Sequence, residues 1–287
     1  MPTAVVNDIR MNYYVNGKGP DVILIHGLAA SLAFWHFRIF PVLARHYRVM
    51  AYDLRGHGRT EIPASGYTTM HLAEDLRKLM NHLEIEKAQL VGHSFGGAVA
   101  LELTLNHPER VTSVTVADTR LRALQEIQQI RDWPFWSLWK SHVEASGGRV
   151  PSDEETLDFT LLDDWASLAV RIPHLGTSTA EGILPVTMWR GRERSRLKWL
   201  ELVRSTSARE DFKSIAGLTI SNIQKLSHPI LAIFGEYSHC LESLRRLQLL
   251  VPSCTAVVVP EAGHFHPVVK PAEFCQHVLR FLNNCAA

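Results

Sequence analysis

The sequence lacks an excess of charge of either sign, since 30 lysines and arginines face 29 aspartates and glutamates in 287 residues. Proteins that bind nucleic acid or anionic membranes usually carry a clear basic excess or a basic patch. The sequence also lacks any apolar run near the roughly 18 residues that a membrane-spanning helix needs. We therefore expect no nucleic acid among its partners and no membrane span.

Cysteine is scarce, with residues only at 240, 254, 275 and 285 and no Cys-x-x-Cys pair. A chain of this length buries about 75% of its unfolded surface, so its core needs no disulfide. The N-terminus has no positive segment followed by an apolar stretch, which a secretory signal would show. Reduced thiols and a cytoplasmic location are the expectation.

Sequence motifs for metals and dinucleotides are missing as well. There is no His-Glu-x-x-His, and His264-x-His266 has no evident third ligand. No Gly-x-Gly-x-x-Gly opens a helix after a strand. We therefore expect neither a metal nor a cofactor.

What the sequence does contain is an alternation of apolar strands with amphipathic helices. Buried strands are predicted at 21–26, 47–52, 88–93, 111–117, 230–235 and 255–259, with helices at 32–44, 71–83, 94–106, 241–250 and 272–283. This alternation predicts an α/β fold with a mostly parallel central sheet flanked by helices. Residues 119–226 show helix-like segments and no strand pattern. We predict a core of residues 1–118 and 227–287 with a helical cap, 119–226, inserted into it.

The pentapeptide Gly92-His93-Ser94-Phe95-Gly96 matches Gly-x-Ser-x-Gly. An apolar strand runs into it and a helix begins at it, as a nucleophile elbow requires. The small flanking residues allow the sharp turn that would present the Ser94 hydroxyl above the sheet. The alternative is a serine that merely caps a helix after a glycine turn. The context favours Ser94 as a nucleophile.

A nucleophilic serine needs a base, and the chain has 15 histidines. His264 is distinguished by its place in the loop after the last predicted strand. Parallel strands end at one edge of a sheet, so this loop and the elbow are expected to share that edge. In enzymes with a nucleophile elbow the serine precedes the histidine in the sequence, as Ser94 precedes His264 here. His266, two residues on, is the competing candidate and is expected to be structural or at the rim.

The attacked carbonyl also needs donors for its developing negative charge. The backbone N–H of Phe95, directly after the nucleophile, is one predicted donor. The loop His26-Gly27-Leu28-Ala29 after the first predicted strand is expected to supply the second, through Leu28. Taken alone, this loop is equally consistent with a plain strand-terminating turn.

Four motifs together resemble the α/β-hydrolases that carry a helical cap after the sixth strand. They are His26-Gly27-Leu28, the segment from Asp53 to Gly58, the elbow from Gly92 to Gly97, and Gly263-His264. The resemblance implies a serine hydrolase with a catalytic triad and assigns the 53–58 segment to a structural turn. Epoxide hydrolases and haloalkane dehalogenases of this fold have an aspartate at the elbow, where this chain has Ser94.

The sequence departs from the family pattern at the acid. The family has Gly-x-x-Asp after the seventh strand, whereas this chain has Gly235 followed by Ser238 at the carboxylate position. Asp118, at the end of the sixth predicted strand, occupies the place where some relatives carry their acid. We favour Asp118. Glu236, or no acid at all, stays open.

The predicted function is cleavage of a carboxylic ester, thioester or lactone with a hydrophobic acyl part. The apolar preference rests on six tryptophans in the cap, Trp133, Trp136, Trp139, Trp165, Trp189 and Trp199. A carbon–carbon bond hydrolase or lyase, and a ligand-binding protein on a degraded scaffold, are the alternatives. A basic stretch, Arg190, Arg192, Arg194, Arg196 and Lys198, is either a solvated face or a docking patch for an acyl carrier protein or an anionic substrate.

Overall fold

A computed structural model describes residues 1–126, 128–134, 136–145, 150, 152–155, 159 and 193–286. Its centre is an eight-stranded sheet with the order β1-β2-β4-β3-β5-β6-β7-β8. The strands are β1 Thr3–Val6, β2 Ile9–Asn16, β3 Asp21–Ile25, β4 Arg48–Tyr52, β5 Ala88–His93, β6 Val111–Ala117, β7 Ile230–Gly235 and β8 Cys254–Val259. β1 and β2 are antiparallel to their neighbours, and every pair from β4 to β8 is parallel. The predicted fold is confirmed.

Helices cover both faces of the sheet. They are α1 Ala33–His36, α2 Phe40–Leu43, α3 Thr69–His82, α4 Phe95–Asn106, α5 Trp136–Ala145, α6 Glu193–Ser205, α7 Ala208–Asp211, α8 Ile220–Ile223, α9 Leu241–Leu250, α10 His266–Val269 and α11 Pro271–Ala286. Short 3₁₀ turns occupy Pro108–Arg110 and Ile130–Asp132. Within the described residues, no helix combines the length and the apolar character needed to cross a membrane.

The register of the parallel strands fixes where the functional loops emerge. Ile25 pairs with Gly92, His93 pairs with Ala117, and Gly235 pairs with Val259. The carboxyl ends of β3, β5, β6, β7 and β8 therefore lie at one edge of the sheet, where ligands bind in open α/β sheets. All residues of β5 and of β7 are buried, as expected for strands covered on both faces.

The structure differs from the predicted elements at two places near the N-terminus. The hairpin of β1 and β2 was not among the predicted strands. It turns through Asn7 and Asp8, which both have positive φ. The predicted helix at 32–44 is wrong as a single element, because it divides into α1 and α2. Pro41 lies in the first turn of α2 and has no N–H to continue a preceding helix.

The segment between β6 and β7 has no β-strand among its described residues. Leu218, Ile223 and Leu226, near the end of the predicted cap, belong to the same hydrophobic cluster as the sheet residues. The cap boundaries at 118/119 and 226/227 stay a prediction. Of the tryptophans, three are buried (Trp133, Trp136 and Trp199), whereas Trp165, Trp189 and the side chain of Trp139 lie outside the described residues.

Candidate active site

Ser94 stands between the end of β5 and the start of α4 with φ 54° and ψ −125°. This left-handed conformation is strained for a residue with a side chain and is typical of functional turns. The turn depends on close backbone crossing, since a Cβ at Gly96 would lie 2.3 Å from the carbonyl oxygen of Ile25. The predicted elbow is therefore present, with Ser94 at its apex.

The loop after β3 lies directly against the Ser94 side chain. A Cβ at Gly27 would come within 2.8 Å of Ser94 Cβ and 3.3 Å of Ser94 Oγ, so only glycine fits there. Among the described residues, no acceptor bonds to the backbone N–H of Leu28 or of Phe95. Both predicted oxyanion donors thus belong to turns beside Ser94 and have unused N–H groups.

Two buried polar side chains hold this loop in place. His26 Nδ1–H donates to the Gly27 carbonyl at 2.7 Å, and its Nε2 accepts from the Leu54 N–H at 3.1 Å. Burial lowers the pKa of His26 to about 4, so the ring is neutral and can play both roles. Asp53 Oδ1 accepts from the Leu32 N–H at 2.7 Å. The segment that supplies the second oxyanion donor is therefore fixed at both ends.

Asp118 follows β6, is fully buried and has φ 50°. Its Oδ1 accepts hydrogen bonds from His264 Nδ1 at 3.1 Å and from the Ser238 hydroxyl. Its Oδ2 accepts from the Gly235 N–H at 2.8 Å. Burial by itself would raise the pKa of Asp118, but the hydrogen bond and the charge of His264 outweigh it and hold that pKa well below its usual range. The carboxylate is ionised.

Glu236, the alternative acid, occupies a different position. Its side chain is exposed, and its Oε2 accepts from the Glu261 N–H at 2.8 Å in the turn after β8. The structure thus brings Asp118, rather than Glu236, to His264. Ser238, at the family's carboxylate position, donates to Asp118 and accepts from the Cys240 N–H at 2.9 Å.

The loop of His264 is anchored by two other histidines. His93 Nε2–H donates to the His264 carbonyl at 2.9 Å, and the two rings lie 4.8 Å apart. Burial and the neighbouring His264 lower the pKa of His93 well below its ordinary value. His266 is completely buried, donates from Nε2 to the Ile233 carbonyl at 3.1 Å and has a pKa lowered to about 4 by burial. Its contacts are structural.

Ser94 Oγ has no hydrogen-bond partner among the described residues, although its backbone neighbour His93 contacts His264. Hydrogen bonds between nucleophile and base are often loose without substrate. The structure therefore joins His264 to Asp118 and brings the Ser94 and His264 segments together without closing the final bond.

Several contributors to the site were not predicted from the sequence. The Thr119 hydroxyl donates to the Ser94 carbonyl at 2.8 Å. His26, Asp53 and His93 hold loops rather than substrate. Ser238 was noticed only as a departure from the family pattern. The sequence offers one signal for the role of Thr119. It follows Asp118 directly after a buried strand, and that strand ends at the same edge of the sheet as the elbow.

Comparison with known proteins agrees with this geometry. The family model for the alpha/beta hydrolase fold matches residues 20–271. The chain belongs to the α/β-hydrolase fold family.

Its relatives span several hydrolytic activities. The chain is 27% identical to a soluble epoxide hydrolase from Corynebacterium sp. strain C12, over 97% of this chain and 95% of that protein. Among solved structures, it resembles a meta-cleavage product hydrolase from Pseudomonas fluorescens IP01 with a TM-score of 0.72 and 23% identity, covering 99% and 98% of the two chains. It also resembles an enol-lactonase from Burkholderia xenovorans LB400, with a TM-score of 0.68 and 24% identity over 98% of this chain and 100% of that one. The chain is a hydrolase of this family, and these structural likenesses show its fold.

An aromatic cluster of this hydrolase borders the predicted oxyanion donor. The ring of Phe212 lies 5.2 Å from that of Phe95, 5.7 Å from Phe159 and 6.0 Å from Trp199, with the Trp199 ring stacked on it. Phe212 and Trp199 are buried. Side chains within the predicted cap thus form an apolar wall next to the residue after Ser94.

Three residues of the basic stretch, Arg194, Arg196 and Lys198, lie within the described part of the chain. Lys198 Nζ donates to the carbonyls of Gly58 at 2.9 Å and Thr60 at 2.5 Å, and Arg196 is buried. Arg194 is exposed, whereas Arg190 and Arg192 lie outside the described residues. Lys198 therefore ties α6 to the turn after β4.

The buried neutral histidines predict acid lability of this hydrolase. Burial lowers the pKa of His26 to about 4 and that of His57 to about 3. Between about pH 6.5 and 4 the unfolded chain binds protons at both residues that the folded chain does not, so stability falls as pH falls. Each histidine contributes up to about 1.4 kcal/mol per pH unit. Denaturant unfolding at several pH values should show the free energy of unfolding falling with pH by up to about 2.7 kcal/mol per unit from this pair.

The matched variant is His57→Gln, which removes one of the two titrating groups. Its free energy of unfolding should depend on pH less steeply, by about 1.4 kcal/mol per unit. An unchanged slope in this variant, whatever its absolute stability, would contradict the assignment.

Proposed function

We propose that this hydrolase cleaves carboxylic esters, thioesters or lactones with a hydrophobic acyl part through an acyl-enzyme on Ser94. The observation that carries the proposal is His264 Nδ1 held 3.1 Å from the buried, ionised Asp118, at the same sheet edge as the strained Ser94. Asp118 fixes the tautomer that leaves Nε2 as the proton acceptor, and its charge stabilises the imidazolium that forms.

The proposed reaction proceeds in two halves. His264 Nε2 takes the proton of the Ser94 hydroxyl as the oxygen attacks the substrate carbonyl carbon. The N–H groups of Phe95 and Leu28 stabilise the oxyanion. His264 then returns the proton to the leaving group, and the acyl-enzyme forms. A water molecule deprotonated by the same imidazole attacks the acyl carbon, and the acid and free Ser94 are released.

The apolar wall supports the proposed substrate class. The ring of Phe212 packs against that of Phe95, whose N–H is the predicted oxyanion donor, and Trp199 stacks on Phe212. The acyl or alcohol part of a substrate would extend along these rings. Burying a methylene group is worth about 0.8 kcal/mol, so a longer acyl chain gains binding against such a wall. A small apolar molecule is therefore the proposed partner. Lys198 and Arg196 are engaged or buried, which favours this over an acyl carrier protein.

The elbow residue separates this chain from the activity that its epoxide hydrolase relative is named for. Epoxide hydrolases of this fold use an elbow aspartate, whose carboxylate forms an ester with substrate. Ser94 supplies a hydroxyl, which requires a base to become nucleophilic, and His264 with Asp118 is such a base. This pairing favours acyl transfer.

The first test replaces the nucleophile. Ser94→Ala should lower kcat on p-nitrophenyl esters on the order of 10⁶-fold, because no other group can form the acyl-enzyme. A fluorophosphonate probe should label the wild-type protein at Ser94 and should not label the variant. Ser65→Ala, at an exposed serine, is the matched control and should retain both labelling and turnover.

Assays on a series from acetyl to decanoyl esters should show kcat/KM rising with acyl length. Retention of most activity in Ser94→Ala would refute the proposed mechanism. Steadily falling kcat/KM would refute the hydrophobic acyl preference alone.

The second test separates the two candidate acids. Asp118→Asn should lower kcat by about 10⁴, since His264 loses its charge partner and its correct tautomer. Glu236→Gln should lower kcat by less than about tenfold, because an exposed charged side chain contributes little. Adding Ser238→Asp to Asp118→Asn should restore activity in part, because a carboxylate at 238 would lie at the family's acid position. Collapse of Glu236→Gln with an unaffected Asp118→Asn would reverse the assignment.

The third test concerns Ser238 as a positioning residue. Ser238→Ala removes a donor to the Asp118 carboxylate, and hydrogen bonds to charged groups are worth about 1.5–3 kcal/mol. We expect kcat to fall about 10- to 100-fold with KM little changed. The acidic limb of the kcat/KM profile should move to higher pH, because the Asp118 charge then acts more fully on the imidazolium. A loss of activity with an unmoved limb would mean that Ser238 has only a structural role.

A further inference from the structure

Three side chains of types that bind metal ions, one of them the proposed base, lie close together in the loops after β7 and β8. His239, Cys240 and His264 each offer a ligand atom, and these atoms all lie within 4.8 Å of one another. The rings of His239 and His264 are 5.0 Å apart. The sequence separates the first two residues from the third by more than 20 positions, and the loops after β7 and β8 bring them together.

We propose that this cluster is a binding site for a thiophilic divalent cation, of which Zn²⁺ is the type, and that the bound ion inhibits the enzyme. One thiolate and two imidazoles are a donor set that zinc prefers, whereas Mg²⁺ and Ca²⁺ prefer oxygen. Zinc bonds of about 2.0–2.3 Å place tetrahedral ligands about 3.3–3.6 Å apart. The ligand atoms, which lie up to 4.8 Å apart, would have to approach one another by about 1 Å through side-chain rotation to reach this distance.

His264 has one ring nitrogen engaged by a carboxylate. Its Nδ1 faces Asp118 Oδ1 at 3.1 Å, so an ion that leaves this hydrogen bond intact binds Nε2. A carboxylate on the second nitrogen is the usual outer partner of a zinc-bound histidine, because it fixes the ring and raises its basicity.

A cavity borders the cluster through one of its three ligands, His239. This cavity of about 850 Å³ is lined by Ser238 and His239 and lies next to buried Cys240. The cavity wall carries four carboxylates against two arginines, namely Glu126, Asp132, Glu236 and Glu242 against Arg245 and Arg246. The excess of negative charge on this wall raises the local concentration of cations.

Occupancy would block catalysis by a defined step. The ion takes the Nε2 lone pair that the mechanism needs for the Ser94 proton, and the Cys240 thiol releases its proton to solvent as it becomes a thiolate ligand. The inhibitory part of the proposal rests on the proposed roles of Ser94 and His264. The ion site itself does not depend on them.

The experiment combines inhibition with direct binding. Zn²⁺ should inhibit ester hydrolysis by the wild-type protein, EDTA should reverse this, and Mg²⁺ should have no effect. Cys240→Ser and His239→Gln should hydrolyse esters at rates close to wild type. Each should raise the inhibitory Zn²⁺ concentration at least about tenfold, the minimum that the loss of even an outer-shell partner causes. Cys254→Ser, at a cysteine on β8 outside the cluster, should be inhibited like wild type.

Binding is read independently with Co²⁺ in the Ser94→Ala protein, which needs no activity. A thiolate-to-cobalt charge-transfer band in the near ultraviolet should appear with Cys240 present and vanish in Ser94→Ala/Cys240→Ser. Absence of the band, or equal Zn²⁺ sensitivity in Cys240→Ser, would overturn the site. A band without inhibition would leave the thiolate–metal site standing and overturn the inhibitory part of the proposal.

Discussion

The site depends on a single buried carboxylate. Asp118 accepts hydrogen bonds from three segments, namely Gly235 at the end of β7, Ser238 in the loop after it, and His264 in the loop after β8. A buried charge is tolerated only when such donors replace its lost water. The same bonds that keep the carboxylate ionised therefore fix the loop of the proposed base. Removing this charge would loosen two loops as well as the imidazole.

In the proposed triad the acid follows β6 rather than β7, and Ser238 occupies the acid position after β7. A carboxylate at both 118 and 238 would place two like charges against one imidazole, and one of them would have to become protonated. Serine is small enough to share that space and donates a hydrogen bond to the carboxylate that remains. The Cys240 N–H, which bonds to the Ser238 oxygen, orients the hydroxyl.

The fold, and the placement of Ser94 and His264 at one edge of the sheet, could be predicted because they follow from local patterns and strand order. The elbow is a local motif, and His264 follows from the rule that parallel strands end at one edge. The choice between Asp118 and Glu236 needed coordinates, because both follow strands that end at this edge. The β1–β2 hairpin was missed although Asn7-Asp8 is a favourable type I′ turn sequence between short alternating runs. The contacts of His26 and Asp53 join segments distant in sequence, which no local pattern reveals.

Two residues of the basic stretch, Arg196 and Lys198, contribute to packing within the protein. A run of alternating arginines suggests a surface, yet the Lys198 ammonium group caps carbonyls of the turn after β4 and Arg196 is buried. With Lys198 holding α6, Trp199 stacks on Phe212, and Phe212 contacts Phe95. An interaction between α6 and the sheet domain is in this way transmitted to the residue whose N–H is the proposed oxyanion donor. If the proposed mechanism holds, Phe212 links the apolar wall to the residue that supplies the oxyanion donor, and Phe212→Ala is expected to change both kcat and KM of ester hydrolysis.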